Sequence, residues 1–137
     1  MLLKKIIKKC PKILEDLKVK GLSSDTRTLK KGDLYFALKG DKFNGEKFIK
    51  LALKKGAVAV VTTKKLKKEK NIISVNNVKK TLVFACSSFY NNKPKNIIAV
   101  TGTNGKSSVA DFFYQVMKLN NVKSATIGTL GVKKNNY

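Results

Sequence analysis

Apolar residues follow two different periods along the chain, and the alternation between these periods predicts an α/β fold. Short runs of aliphatic and aromatic residues, bounded by glycines or charged residues, predict strands. Apolar residues that recur every three or four positions predict amphipathic helices. The predicted strands cover residues 22–28 together with a turn, 34–38, 57–61, 72–75, 97–100 and 123–127. The predicted helices cover residues 1–10, 48–53, 78–89 and a segment that begins at 106.

Residues 91–94, Asn-Asn-Lys-Pro, are typical of a linker and divide the chain into two units. Residues 1–92 hold enough predicted elements for a small α/β domain. Residues 93–137 hold one strand, a glycine-rich turn, one helix and a further strand. A parallel nucleotide-binding sheet normally continues for several more strands, because each one covers apolar surface that the previous one leaves bare. We therefore expect the chain to be the truncated amino-terminal part of a longer polypeptide.

The stretch between the fifth predicted strand and the last helix predicts a phosphate-binding loop. Four consecutive apolar residues at 97–100 predict a strand buried on both faces, as in a parallel sheet, and T-G-T-N-G-K-S follows at 101–107. Glycines let backbone N–H groups close around phosphate oxygens, and the start of a helix adds a favourable dipole. Lys106 supplies a positive charge for the outer phosphates, and Ser107 supplies an oxygen for Mg²⁺.

The match to the general phosphate-loop pattern is incomplete. The pattern G-x-x-x-x-G-K-[ST] places its first glycine where Val100 stands. The alternative is a tight strand-to-helix turn with a solvated lysine. The order of strand, turn, Lys-Ser and amphipathic helix favours the phosphate loop. The apolar face of that helix consists of Val109, Phe112, Phe113, Val116 and Met117.

The formal net charge of +22 would fit a nucleic-acid-binding protein, but its distribution favours solvated surface lysines. Arg27 is the only arginine, although arginine is the usual reader of bases and phosphates. The lysines are also spread over the whole chain instead of forming one stripe. We therefore expect no nucleic-acid partner, and the charge leaves open a milder attraction of anionic nucleotides.

The remaining composition indicates a cytoplasmic protein without membrane insertion. Cys10 and Cys86 are too few and too isolated for a disulfide framework or a metal site, and histidine is absent. Residues 1–10 alternate apolar pairs with lysine pairs, which favours a short capping helix over a signal peptide or a membrane-surface helix. No apolar run approaches transmembrane length.

Four motifs together resemble the amino-terminal part of the Mur ligases, the ATP-dependent enzymes that add amino acids to the UDP-N-acetylmuramoyl precursor of peptidoglycan. They are S-D-T-R at 24–27, G-D-L-Y-F-A-L-K-G at 32–40, G-A-V-A-V-V at 56–61 and the loop at 101–107. S-A-T-I-G-T-L-G at 124–131 favours the member that adds the third amino acid, diaminopimelate or lysine. The D-alanyl-D-alanine-adding member remains an alternative. A folate polyglutamate synthetase has a similar phosphate loop, but the first unit does not fit it.

The resemblance implies a small UDP-binding α/β domain at 1–92, followed at 93–137 by the start of a Rossmann-like, parallel-sheet ATP-binding domain. It implies that Ser24 and Thr26 contact the uridine portion, and that Asp41, Lys42 and Phe43 close over it. From the residues themselves, an Asp-initiated turn with a local ion pair is the preferred interpretation of residues 25–27. The residues implied for ATP are Gly102, Thr103, Asn104, Gly105, Lys106, Ser107 and Ser108, with Lys106 catalytic and Ser107 on Mg²⁺.

The chain departs from the family pattern in two places. Ser107-Ser108 stands where two threonines are common, which keeps a hydroxyl ligand for the metal. Asn44-Gly45-Glu46 stands where Asp-Gly-His is common.

The implied chemistry is formation of an acyl phosphate on a UDP-N-acetylmuramoyl-dipeptide, followed by its displacement by an amine. We expect the protein to be a monomer. We also expect these 137 residues to have no ligase activity when the rest of a ligase is missing. Two other hypotheses remain open, a free-standing, non-catalytic nucleotide or UDP-sugar binding module and a basic nucleic-acid binder.

Overall fold

The structure is a computed structural model that describes residues 1–40, 43–66 and 70–135. It divides the chain into two compact units, Met1–Lys93 and Pro94–Tyr137. Both cysteines, Cys10 and Cys86, are free thiols. Among the described residues, no helix combines the length and the apolar character needed to cross a bilayer.

The first unit is built on a four-stranded parallel sheet whose strands follow the order of the sequence. The strands are β1 (Gly21–Ser23), β2 (Asp33–Phe36), β3 (Ala59–Thr62) and β4 (Ile72–Ser74). Its helices are α1 (Leu3–Ile6), α2 (Ile49–Lys54) and α3 (Val78–Phe89), with 3-10 turns at Lys12–Leu14 and Gly45–Phe48. Leu22 lies opposite Leu34, Tyr35 opposite Val60 and Val61 opposite Ile73.

The sheet is buried on both faces because its strands alternate apolar side chains to either side. Along β2, Leu34 and Phe36 enter one core cluster, whereas Tyr35 enters the other. The first cluster also contains Leu3, Ile6, Val61, Ile73, Val78 and Ala85. The second also contains Leu29, Ala37, Ile49, Ala52, Ala57 and Val60. Burial on both faces explains the continuous apolar runs that predicted these strands.

Most elements predicted for the first unit are confirmed, with small shifts in their bounds. The predicted helix at 78–89 has the same bounds in α3, and Asn77 caps it by accepting a hydrogen bond from the backbone N–H of Lys80 (2.9 Å). The predicted helix over residues 1–10 is much shorter. It ends as α1 at Ile6, and Leu3 and Ile6 are buried in the core.

The second unit contains α4 (Lys106–Leu119), β5 (Ala125–Gly128) and β6 (Gly131–Lys134). The predicted helix is confirmed, but every residue of α4 is at least partly exposed. β5 and β6 pair antiparallel, and no parallel pairing is found among the described residues of this unit, where a parallel sheet was expected. Only two residues join Gly128 to Gly131, and a connection that short permits a hairpin but not a parallel crossover.

The strand predicted at 97–100 is wrong for this structure. Ile97 and Ile98 are 81% and 61% exposed, and no β-pairing within the described ranges includes residues 97–100. A buried parallel strand needs hydrogen-bonding neighbours beside it and covering elements over both faces. The apolar run has the propensity for a strand. The described part of this unit, however, provides neither a neighbouring strand for it nor elements that cover its two faces.

Candidate functional site

The carboxyl ends of the four parallel strands lie along one edge of the first unit, which is where open α/β sheets commonly bind ligands. Ser24 follows β1 directly. The loop at 39–45 follows residues 37–38, which come directly after β2. Thr63 and Lys64 follow β3. Parallel pairing thus brings segments that are distant in the sequence to the same edge.

Residues 25–27 form the Asp-initiated turn that their sequence favours. The carboxylate of Asp25 accepts hydrogen bonds from the backbone N–H of Arg27 at 2.8 Å and from its guanidinium Nη2 at 2.6 Å. This hydrogen bonding holds the pKa of Asp25 below its ordinary value. The Arg27 side chain is 88% exposed, so the pair is a local surface ion pair.

Ser24 and Thr26, the residues implied for uridine, flank Asp25 in this turn. Thr26 is buried, and its backbone carbonyl accepts a hydrogen bond of 2.7 Å from the Lys55 ammonium beyond α2. Ser24 is half-buried. Within residues 1–40, 43–66 and 70–135, no hydrogen bond joins either residue to Phe43. The structure therefore places both residues after β1 at this edge, without a hydrogen bond to Phe43.

The loop after β2 closes on itself through backbone hydrogen bonds. The N–H of Gly40 donates to the carbonyl of Phe43 (2.8 Å), and the N–H of Gly45 donates to the carbonyl of Leu38 (2.7 Å). Asp41 and Lys42, both implied for substrate, lie outside the described residues. Phe43 is 50% exposed, and its ring stacks on that of Phe48 with centroids 5.6 Å apart.

Gly45 sits where the loop passes closest to the sheet. A Cβ atom at this position would lie 2.7 Å from the carbonyl oxygen of Leu38 and 2.9 Å from its nitrogen. No larger residue fits without moving backbone. The carbonyl of Gly45 also accepts a hydrogen bond of 3.2 Å from the hydroxyl of Tyr35, whose pKa is raised by burial and further by the charge of Asp25.

Glu46 follows the loop, and its side chain is only 7% exposed. Its Oε1 accepts hydrogen bonds from the hydroxyls of Thr62 (2.9 Å) and Thr63 (2.7 Å), and its Oε2 lies 3.5 Å from Nζ of Lys64. Burial would raise the pKa of this carboxyl, but the two hydroxyls and the ammonium outweigh it and hold the pKa below its ordinary value. Lys47 and Lys50 line the same surface depression.

Sequence reasoning identified Glu46 only as a departure from a family pattern, and it missed Tyr35 as a loop contact. The hydroxyl partners of Glu46 lie 16 and 17 residues away on another element. Apart from the two consecutive threonines at the end of a predicted strand, the sequence carried no signal for this cluster.

The predicted phosphate loop of the second unit contains two glycines with positive φ. Gly102 has φ of 143° and Gly105 has φ of 74°, a region that side-chain-bearing residues rarely adopt. Gly105 is the N-cap of α4 and offers no capping side chain. The backbone N–H groups of the first helical turn, at Lys106, Ser107 and Ser108, therefore have no side-chain acceptor in the described chain and can receive an anion.

The side chain of Lys106 folds back over this loop. Its ammonium donates hydrogen bonds to the carbonyl of Gly102 and, at 2.9 Å, to the carbonyl of Thr103. Neither partner is a carboxylate, so the two bonds leave the positive charge of the lysine uncompensated. Thr103 and Asn104 complete the exposed turn between Gly102 and Gly105.

A second set of polar side chains surrounds Ser107. Its Oγ lies 3.0 Å from Oγ1 of Thr129 in the hairpin turn. One turn further along α4, the carboxylate of Asp111 accepts hydrogen bonds from Lys133 (2.5 Å) and Gln115 (2.7 Å), which hold its pKa below the ordinary value. Ser107, Asp111 and Lys133 line a shallow depression together with the β5–β6 turn. Sequence reasoning assigned Ser107 but not Thr129, Asp111 or Lys133.

Comparisons with known proteins identify the family of the chain. The family model for the Mur ligase family, catalytic domain, matches residues 18–104. The UDP-N-acetylmuramoyl-L-alanyl-D-glutamate--2,6-diaminopimelate ligase of Rickettsia bellii (strain RML369-C) is 46% identical over 121 residues, covering 88% of this chain and 25% of that protein. The ligase of the same name from Rickettsia montanensis is 48% identical over 126 residues, covering 88% and 26%. The chain thus spans about a quarter of the length of these curated relatives.

Solved structures give the same result for the fold. A structure of a UDP-N-acetylmuramoyl-L-alanyl-D-glutamate--2,6-diaminopimelate ligase matches with a TM-score of 0.77 and 25% identity, over 100% of this chain and 29% of that one. MurF ligase from Thermotoga maritima, in complex with ADP, matches with a TM-score of 0.63 and 28% identity, over 76% of this chain and 24% of that one. The α/β class and the resemblance inferred from the motifs are confirmed, and the chain belongs to the Mur ligase family.

Proposed function

We propose that this chain supplies the amino-terminal part of a ligase that adds diaminopimelate to UDP-N-acetylmuramoyl-L-alanyl-D-glutamate. The observation that carries the proposal is the 46% identity to the Rickettsia bellii ligase of that name over 88% of the chain. The curated relatives favour this member over the D-alanyl-D-alanine-adding ligase. Because the reaction consumes ATP, we place it in the cytoplasm.

The first unit, residues 1–92, is the proposed site for the UDP end of the substrate. Its support is the sheet edge at which Ser24 and Thr26 follow β1 while the loop after β2 lies alongside. Hydroxyls and loop backbone can hydrogen-bond a uracil edge. In this proposal Phe43 contributes its exposed ring, and Asp41 and Lys42 belong to the same binding loop.

The second unit, residues 93–137, is proposed to open the ATP-binding domain, with Gly102–Ser108 around the phosphates. Two features of the loop fit a nucleotide triphosphate. Within the described residues, the backbone N–H groups at the helix start have no side-chain acceptor, and the Lys106 ammonium has only carbonyl partners, which phosphate oxygens can replace. The Ser107 hydroxyl is a hard oxygen ligand of the kind that Mg²⁺ prefers. When bound, Mg²⁺ would supply neutralisation of phosphate charge.

The proposed reaction has two steps. A carboxylate oxygen of the substrate forms a bond to the γ-phosphorus of ATP while the bond to the β-phosphate oxygen breaks, which gives an acyl phosphate and ADP. The amine of the incoming amino acid then forms a C–N bond to the acyl carbon. The bond between that carbon and the phosphate oxygen breaks, phosphate leaves, and the amine gives up a proton. Lys106 acts by holding the transferred phosphoryl group and neutralising its charge.

A chimaera tests whether this chain can perform that role. Residues 1–137 replace the matching amino-terminal segment of the Rickettsia bellii ligase, and phosphate release is measured with UDP-N-acetylmuramoyl-L-alanyl-D-glutamate, ATP and diaminopimelate. We expect turnover that requires all three substrates. A chimaera that folds, judged by a cooperative melting transition, but releases no phosphate would contradict the proposal.

The 137-residue chain assayed under the same conditions provides the matched comparison. We expect it to bind Mg²⁺-ATP and UDP separately, as measured by calorimetric titration, and to release no phosphate. Turnover by the 137-residue chain would refute the expectation that these residues are inactive without the rest of a ligase.

A further inference from the structure

Glu46 is the point at which the loop after β2 is attached to the strand β3. Among the acidic residues in the described ranges, Glu46 is the one whose carboxylate is buried against three consecutive residues, 62–64, at the end of this strand. Burying a carboxylate is costly unless its oxygens are hydrogen-bonded. Oε1 of Glu46 accepts two hydrogen bonds, and Oε2 has the Lys64 ammonium 3.5 Å away, so both oxygens have a partner.

The same residue is also coupled to the loop through the backbone. Its N–H donates a hydrogen bond of 3.0 Å to Oδ1 of Asn44. The neighbouring Gly45 is bonded to Leu38 through its N–H and to Tyr35 through its carbonyl. Residues 43–46, here called the loop segment, are therefore fixed to β2 by Gly45 and to β3 by Glu46.

We propose that Glu46 is a positioning residue for substrate binding, which acts through Asn44 and Gly45 to set where the Phe43 ring is presented at the sheet edge. The inference rests on the proposed function of the first unit as the UDP site. It assigns a role to the residue at which this chain departs from the Asp-Gly-His pattern. A loop fixed before binding loses less conformational freedom when the ligand arrives, and its affinity is correspondingly higher.

The first experiment measures the attachment without ligand, by amide hydrogen exchange in the 137-residue chain. Glu46→Ala should accelerate exchange of the Gly45 and Gly40 amides, which close the loop through Leu38 and Phe43. Glu46→Gln keeps an acceptor oxygen for the two threonine hydroxyls and should restore most of the protection. Unchanged exchange in Glu46→Ala would overturn the proposal.

The second experiment measures the consequence, by calorimetric titration with UDP at a temperature where each variant is fully folded. Glu46→Ala should weaken UDP binding about tenfold, as expected if the binding-competent loop becomes a minor population. Val61→Ala is the matched control. It removes buried volume from the same strand, at a residue that packs in the first core cluster. It lowers stability without touching the carboxylate, so its UDP affinity should equal that of the wild type.

The outcomes separate this inference from the function on which it rests. Equal UDP affinity in the wild type and Glu46→Ala overturns the positioning role and leaves the UDP site standing. A loss that is equally large in Val61→Ala also overturns it, because a general loss of stability then explains the effect. Absence of UDP binding by the wild type at millimolar concentration overturns the proposed UDP site together with the inference.

Discussion

At the scale of single residues, the contacts of Lys106 support the proposal that its loop binds a phosphate group. Its ammonium rests on the carbonyls of Gly102 and Thr103, at the start of a helix whose cap has no side chain. A phosphate group offers stronger, charged acceptors at the same place. The side chain can therefore exchange neutral partners for charged ones without leaving the loop.

Replacing Lys106 tests this exchange. In the chimaera, Lys106→Ala should lower kcat/KM for ATP by about 10²–10³-fold, because positive charge facing the transferred phosphoryl group is lost. Lys118→Ala, in the last turn of the same helix, is the control and should have little effect. The measurement is phosphate release at varied ATP. A loss of less than about threefold in Lys106→Ala would contradict the assignment.

Glu46 gives a residue-scale prediction for pH. The folded-state pKa of its carboxyl lies below the ordinary value of 4.5, so its contribution to stability is present above that value and is lost as the pH falls through the folded pKa. Among the described residues, the charged groups that face it are Lys64, Lys47 and Lys50.

The stability advantage of the wild type over Glu46→Gln should therefore shrink between about pH 7 and about pH 3. Urea unfolding midpoints at a series of pH values measure it. An advantage that stays constant across this range would show that the charged form of Glu46 is not favoured by its surroundings.

At the scale of elements, the attachment of the loop to the sheet depends on the absence of a side chain at Gly45. Gly45→Ala should destabilise the first unit by about 1–3 kcal/mol, because the new Cβ would meet the backbone of Leu38 at 2.7–2.9 Å. Gly40→Ala is the matched control in the same loop, since the nearest described atom to its Cβ would be the carbonyl oxygen of Phe43, at 3.8 Å. Urea unfolding of both variants measures the difference, and equal midpoints would contradict the steric argument.

The elements that were predictable from the sequence are those whose burial is completed by near neighbours. The apolar runs of β2 and β3 and the periodic face of α3 meet partners in one compact unit, so local pattern and final structure agree. The run at 97–100 has the same local pattern, but its burial depends on neighbouring strands that a local pattern does not supply. The hairpin β5–β6 was open to prediction from its two-residue connection, whereas the Glu46 cluster joins side chains too distant in sequence for any local signal.

At the scale of the whole molecule, the two units differ in how their helices are held. The two core clusters consist entirely of residues of the first unit, and α3 contributes Val78 and Ala85 to one of them. In α4, by contrast, Phe112 and Leu119 are 67% and 82% exposed, and every residue is at least partly exposed. Helices of this length are marginal in water without tertiary packing.

Amide hydrogen exchange of the 137-residue chain should therefore report two levels of stability. Amides of α3 should exchange only through global unfolding of the first unit, whereas amides of α4 should exchange through local opening, faster by about two orders of magnitude or more. Adding denaturant well below the unfolding midpoint should leave the α4 rates nearly unchanged, because local opening exposes little surface, and should accelerate the α3 rates steeply. Equal protection of the two helices, with equal denaturant dependence, would mean that the chain unfolds as one cooperative unit.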